Sequence, residues 1–317
     1  MKRIFLTAAV MVVMLIAVGP RANADYTPDP NRMWIGTGGK TGNYYFAGNE
    51  ITKRLGKDFV ADGKLIQTGG SLDNLRKLMA GEVDVAFVQS DVYQQFALEN
   101  PSSLTALVPY KVMYDEYVHL ICPVAANWSR VTHVGKAKDS KIIVGPNGGG
   151  TAETWRILRS ADTGLYDHVE RLPDAPDIEA LSQVKDSTNT CMLWVSGLNS
   201  ADMRAANMLS VNTNDHKPAL TLIDVDDRDM KNLKGQNGKP MYEMQTINWA
   251  APSGESGGQY SNLMQSSSVN VPTVHALLVM RVDYRDALKA AGKSGRLVQA
   301  IEDALPTIWG RVNPPQK

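Results

Sequence analysis

Four places in the chain set a small or hydroxyl residue between an apolar run and the start of a helical pattern. They lie after Gly42 in WIGTGGKTGNYYF (34–46), at Ser71 in QTGGSLDNL (67–75), at Ser90–Asp91 in VDVAFVQSD (83–91) and at Thr151 in KIIVGPNGGGTAETWRIL (141–158). A helix N-terminus leaves N–H groups unpaired and carries partial positive charge, and flanking glycines let the backbone come close to a ligand. Such termini suit a small anion. Each contributes roughly 0.3–1 kcal/mol, up to about 2 when partly buried. A micromolar affinity represents about 8 kcal/mol, so side chains and closure must supply the rest.

Three look-alike chemistries fail on spacing. Gly39-Lys40-Thr41 matches the end of a phosphate-binding loop, but the glycine required five residues earlier is Trp34. Gly36, Gly38 and Gly42 are spaced G-x-G-x-x-x-G, one residue too long for a dinucleotide fingerprint. GESGG (254–258) fits the G-x-S-x-G of a hydrolase nucleophile at Ser256. That elbow needs a strand before and a helix after, and neither NWAAPS nor QYSNLMQSS supplies one. A Gly/Ser loop is the better reading, with a secreted serine hydrolase as the alternative it leaves.

Composition narrows the class. The 317 residues carry 33 bases and 33 acids, so no basic footprint points to nucleic acid. The opening MKRIFLTAAVMVVMLIAVGPRANA has Lys2 and Arg3, an apolar run and Ala22-Asn23-Ala24, the pattern of a secretory signal cleaved after Ala24. The run is shorter than the roughly 20 residues of a spanning helix. Removing residues 1–24 from 317 leaves 293, enough for two lobes, in the periplasm. Cys122 and Cys191 lie in strand-like runs; an oxidising compartment permits a disulfide, and two buried free thiols remain the other possibility. Two cysteines and five scattered histidines make no zinc site, and neither a metal nor a cofactor is expected.

The elements that must hold these turns alternate. MWIGT, KLIQT and VDVAFV read as strands, each followed by a helix, an α/β pattern with parallel strands. Ser71 is expected to cap a helix stopped by Gly81, and Thr151 to cap another. Residues 104–110 and 116–124 read as two strands, the second long enough to cross to another lobe. TCMLWVSG (190–197), ALTLIDV (219–225) and VHALLVMR (274–281) are further strands. Residues 226–272 have the least pattern, and two short helices end before a tail, TIWGRVNPPQK.

IGTGGKTGNYYFAGNEI, TGGSLDNLRKLMAGEVDVAFVQSDV and VGPNGGGTAE, in that order and spacing, resemble the TAXI family of TRAP-transporter solute receptors, strongly over about 34–160 and more weakly to about 290. The resemblance implies a non-catalytic periplasmic binding protein of type II architecture, two α/β lobes joined by a hinge. Lobe 1 would hold 25–122 and 226–317, lobe 2 123–225. A small carboxylate, such as glutamate, a dicarboxylate or a keto acid, would be captured in the cleft and handed to an ion-gradient-driven membrane permease. An exported sensory module feeding a receptor kinase shares the fold. Carried over by position, ligand contacts fall on Thr37, Gly38, Thr41, Gly42, Asn43 and Tyr44, on Gln89, Ser90 and Asp91, and on Asn147 to Thr151, including Gly149 and Gly150. Trp194 and Gly197 correspond to a region closing from the second lobe. The chain departs from the family pattern where Gly39, Lys40 and Thr41 replace Ser-Thr-Gly, Phe46 replaces a proline, GGGT replaces GSGT, and Thr190-Cys191 replaces Asp-Ala. Lys40 either pairs with an anionic ligand or points into water.

Overall fold

The computed structural model describes residues 26–56, 59, 62–175, 177–211, 217–248, 260–263 and 266–313. The signal-like segment and Ser256 lie outside the described residues. Among those described, no helix is long and apolar enough to cross a membrane.

The chain begins as its alternation predicts: β1 (Arg32–Gly36), α1 (Asn43–Leu55), β2 (Asp62–Ile66), α2 (Ser71–Ala80), β3 (Val85–Gln89) and α3 (Ser90–Glu99). Both pairings of β1, with β2 and with β3, are parallel. Helix α2 stops where expected, because Gly81 adopts the left-handed conformation (φ 73°) that closes a helix C-terminus. The short α4 (Ser103–Ala106) leads into β4 (Leu107–Pro123), a single 17-residue strand where two were expected. Its ladder partner explains this. The 14-residue β10 runs beside β4 from Arg281↔Leu107 to Thr273↔Tyr117, with a register shift near Pro109 that accommodates a residue with no N–H.

After β4 come α5 (Val131–Lys136), β5 (Lys141–Ile143), α6 (Gly150–Ala161), α7 (Thr163–Tyr166), β6 (Glu170–Arg171), α8 (Asp177–Lys185), β7 (Thr190–Ser196), α9 (Ala201–Ser210), β8 (Leu220–Leu222) and α10 (Arg228–Asn232). The chain closes with β9 (Glu243–Asn248), β10 (Ser268–Arg281), α11 (Val282–Ala290) and α12 (Ser294–Val312). Helix α12 continues through Pro306 and absorbs most of the tail read as a stop. It does so because Leu297, Ile301, Leu305, Ile308 and Val312 lay one stripe into the core.

The strands form one sheet, ordered β2-β1-β3-β10-β4-β7-β5-β6, with β8 on β4 and β9 on β10. Buried apolar side chains gather in three clusters. Two cover opposite faces of the first half of the sheet. Along β3, Val85 and Phe87 point into one, Ala86 and Val88 into the other, as a strand buried on both faces requires. The third cluster joins Val118–Cys122 of β4 to β5, β7, β8 and their helices. It also contains Met230, Met241, Tyr242, Ile247, Tyr260, Val269, Val271 and Val274. These buried residues, from a stretch (226–274) placed with lobe 1 by the sequence, therefore pack with lobe 2. The molecule is two α/β lobes on one curled sheet. Among the described residues, β4 and β10 are the strands that run through both, at Asp115–Tyr117 against Thr273–His275.

The cysteines form a disulfide between β4 and β7. The antiparallel register that sets Ile121 opposite Met192 sets Cys122 opposite Cys191.

A candidate solute cleft between the lobes

A cavity of about 310 Å³ lies between the lobes. The turn before α1 contributes Gly38, Gly39 and Thr41 to Tyr44, and the start of α2 contributes Gly70 and Ser71. Gln89 and Glu116 form the part nearest the crossing strands. From the second lobe come Gly150 and Thr151 at the start of α6, Trp194 to Ser196 at the end of β7, Asp177, and Asn199 to Asp202 with Arg204. Arg311, in the last turn of α12, completes the wall.

The N-termini of α1, α2 and α6 therefore meet at one cavity. None has a side-chain cap; each begins at a glycine, Gly42, Gly70 or Gly149. The two hydroxyls expected to cap do something else. Ser71 Oγ accepts a hydrogen bond from the Gln89 N–H at 3.1 Å, tying α2 to the end of β3. Thr151 Oγ1 accepts from the Val195 N–H at 3.1 Å, tying α6 to β7. In α2 the first-turn Leu72 N–H is taken by Gly148 O; the three helix starts otherwise carry no side-chain cap, the kind of terminus that suits an anion.

Both cationic and acidic groups line the cavity. Arg311 lies over the Phe46 ring, 4.1 Å from its centre, so Phe46 is a platform for a guanidinium. Arg204 is held by two 2.8 Å bonds to Asn199. Asp177 and Asp202 sit close together; burial and then the neighbouring Asp202 charge push Asp177 up to about 7. Deeper in, Glu116 is only 4 % exposed. It accepts from the Tyr44 hydroxyl at 2.8 Å. Burial pushes it up to about 8, the Asp91 charge adds to this, and hydrogen bonds from Tyr44 and Gln89 oppose it.

The lobes touch at both ends of the cavity. At one end the Leu72 N–H donates to Gly148 O at 3.0 Å. Gly70, with φ 113°, packs so closely that a Cβ there would lie 3.1 Å from Gly149 Cα. At the other, Leu198 N–H donates to Asn313 Oδ1 at 2.8 Å and Asn199 N–H to Val312 O at 2.9 Å. This is a closed arrangement.

Of the residues singled out from sequence, Gly38, Thr41, Gly42, Asn43, Tyr44, Ser71, Gln89, Gly150, Thr151 and Trp194 line this cavity. Seven do not. Thr37 is fully buried, its hydroxyl donating to Ile66 O at 3.0 Å. Lys40 is exposed and is not part of the cavity lining. Ser90 Oγ accepts from the His275 N–H at 2.9 Å, stitching α3 to β10. Asp91 is fully buried and accepts from Thr154 at 2.7 Å and Tyr242 at 3.0 Å, two hydroxyls of the other lobe. Asn147 is exposed and accepts from Arg171 at 2.5 Å. Gly149 lies under Pro146 O and Gly69 O, and Gly197 under Val312; added Cβ atoms would come within 3.0 Å of Pro146 O and 2.1 Å of Val312 Cγ1. These two glycines serve the approach of the lobes.

Sequence reasoning missed Glu116, Asp177, Asp202, Arg204 and Arg311. Glu116 left a signal: an acid flanked by the strand-like runs VMY and YVHLICPV. The arginines left none, since one sits on an ordinary helix face and the other in a segment read as a terminator.

Comparison with known proteins places this geometry. The chain is similar to the methionine-binding protein MetQ (15 % identity, 90 % of this chain, 96 % of that one, TM-score 0.40). It is similar to the alkanesulfonate-binding protein SsuA from Xanthomonas axonopodis pv. citri, solved with MOPS (12 %, 90 % and 76 %, 0.45). It is also similar to the OxyR2 regulatory domain from Vibrio vulnificus (10 %, 90 % and 100 %, 0.45). At such scores these remain broad likenesses, and nothing about this chain's ligand follows from them. The model of the NMT1-like family matches residues 35–278, from the first glycine-rich turn to the strand that crosses back between the lobes; this chain belongs to the NMT1-like family.

Proposed function

We propose that this protein is an exported solute receptor that captures a small carboxylate between its lobes and delivers it to a TRAP-type, ion-gradient-driven permease. The observation that carries the reading is the meeting of three uncapped helix N-termini at one cavity, with two guanidinium groups in its wall. The termini supply an oriented positive potential and N–H donors. Arg204 and Arg311 supply full charges. Motion is by hinge closure, with the bend at Asp115–Tyr117 and Thr273–His275, residues 26–115 and 276–313 moving as one lobe and the intervening chain as the other. The permease assignment and the periplasmic location rest on the resemblance to TAXI receptors and on the signal-like N-terminus.

A thermal-shift screen tests the reading. Protein stripped of bound solute by unfolding and refolding is expected to gain about 2.7 kcal/mol with a ligand at 100 times its Kd. For a chain of this size that is roughly 5–10 °C in Tm. A flat response across amino acids, dicarboxylates and keto acids, beside a clear response to an uncharged solute such as a sugar, overturns the carboxylate assignment.

A further inference from the structure

The polar groups of the cavity are not all donors. The N-termini, Arg204, Arg311 and the Trp194 indole offer N–H groups, and a carboxylate satisfies those. Trp194 Nε1 is buried and bonded to nothing among the described residues, so it awaits an acceptor. Glu116 and Gln89 are different. Both are buried, at 4 % and 3 % exposure, and both line the cavity beside the crossing strands. Glu116 accepts from the Tyr44 hydroxyl on its Oε2 at 2.8 Å. Gln89 is its other polar neighbour. Gln89 Oε1 is buried without any donor, and it sits against the start of α6, where a Cβ on Gly150 would be 2.0 Å away. A carboxylate cannot fill Gln89 Oε1, because it brings only acceptors. An unfilled buried acceptor costs about 1–3 kcal/mol.

We propose that Glu116 and Gln89 form a specificity-determining subsite for a hydrogen-bond-donating group of the solute, an ammonium or a hydroxyl, so that the cleft selects a donor-bearing acid over the matching oxo or unsubstituted acid. The inference rests on the carboxylate reading above and deepens it. A site built to hydrogen-bond a ligand donor rejects the analogue lacking it, because its own polar groups are then left unpaired.

The two donors leave different signatures. The groups facing Glu116 are Tyr44 from α1, Gln89 from β3, Asp91 from α3 and Tyr114 on β4 itself, with Arg311 across the cavity. In this setting the Glu116 carboxyl titrates near 8 and is mostly protonated at neutral pH. An ammonium seated on it favours the carboxylate, and the carboxyl proton leaves to solvent. A hydroxyl needs no such release.

The experiment is calorimetric titration of the stripped, refolded protein with four acids of one carbon skeleton: glutamate, 2-hydroxyglutarate, 2-oxoglutarate and glutarate. Each is measured at pH 7 in two buffers of different ionisation enthalpy. The expected result is that glutamate or 2-hydroxyglutarate binds at least tenfold more tightly than both donor-free acids. Glu116→Gln, which keeps a hydrogen-bonding side chain of the same size, is expected to shrink that ratio below threefold. If glutamate is preferred, proton release scales with buffer; if 2-hydroxyglutarate is preferred, it does not. Equal affinity for all four, or preference for a donor-free acid, overturns this subsite while leaving the carboxylate reading standing. Absence of binding by all four, with a response to an uncharged solute in the thermal screen, overturns both. Should Glu116→Gln fail to fold, the wild-type ratios decide alone.

Discussion

Glu116 and Asp91 are buried acids with opposite accounts. Asp91 is surrounded by donors: Thr154, Tyr242 and the Val92 N–H. Burial still raises it, but these bonds oppose the rise. Glu116 has fewer partners and a larger shift, to about 8. A buried acid raised above its unfolded value stabilises the fold below that unfolded value, near 4.5, and this contribution is lost as pH rises through 8. Without solute the protein should therefore lose stability between about pH 5 and 8, by up to a few kcal/mol. Glu116→Gln should flatten that slope, read as urea midpoints at pH 5, 6.5 and 8; an unchanged slope would show that Glu116 does not titrate in this window. At this scale the sequence was partly legible. Residue types at the glycine-rich turns were informative because backbone geometry there is local. Asp91 was taken for a ligand group because its neighbours, Thr154 and Tyr242, stand 63 and 151 residues away.

Elements were more legible than caps. Helices α1 and α2 and strand β3 follow from periodicity and glycine stops, which act over a few residues. Ser71 and Thr151 look like caps, but a hydroxyl near a helix start bonds to whatever the tertiary structure brings, here the ends of β3 and β7. The union of two expected strands into β4 depends on β10, more than 150 residues later. The disulfide joins β4 to β7 across 69 residues of chain. Chain-entropy reasoning assigns such a link about 4 kcal/mol, and measured losses usually run at 2–5. Replacing both cysteines by serine should lower unfolding stability by about 2–4 kcal/mol while leaving solute affinity within a few-fold, measured by urea unfolding and calorimetry. A larger loss of affinity than of stability would mean that the bridge shapes the cleft directly.

On the scale of the molecule, the two-lobe plan was legible and the seam was not. Which lobe owns residues 226–274 is decided by packing of Met241, Tyr242 and Tyr260 against distant strands, and no local pattern encodes that. The closed arrangement uses bare backbone at Gly70, whose φ of 113° strains any other residue and where a Cβ would lie 3.1 Å from Gly149 Cα. Gly70→Ala should cost about 1–3 kcal/mol of stability through backbone strain. It should also weaken binding at least tenfold, since closure would be blocked at that end. Small-angle scattering with saturating solute should find the variant more extended than wild type; an equally compact variant would show that the lobes close without this contact.

The two crossing strands carry a further consequence. Glu116 lies on β4 opposite Val274 of β10, within the short stretch about which the lobes must turn. The group that reads the solute and the joint that moves are the same piece of backbone, so no relay has to connect them. Chimeras that exchange whole lobes between relatives should therefore inherit their solute preference from whichever parent supplies both Gln89 and residues 115–117, a pair that could be transplanted together to retune a biosensor.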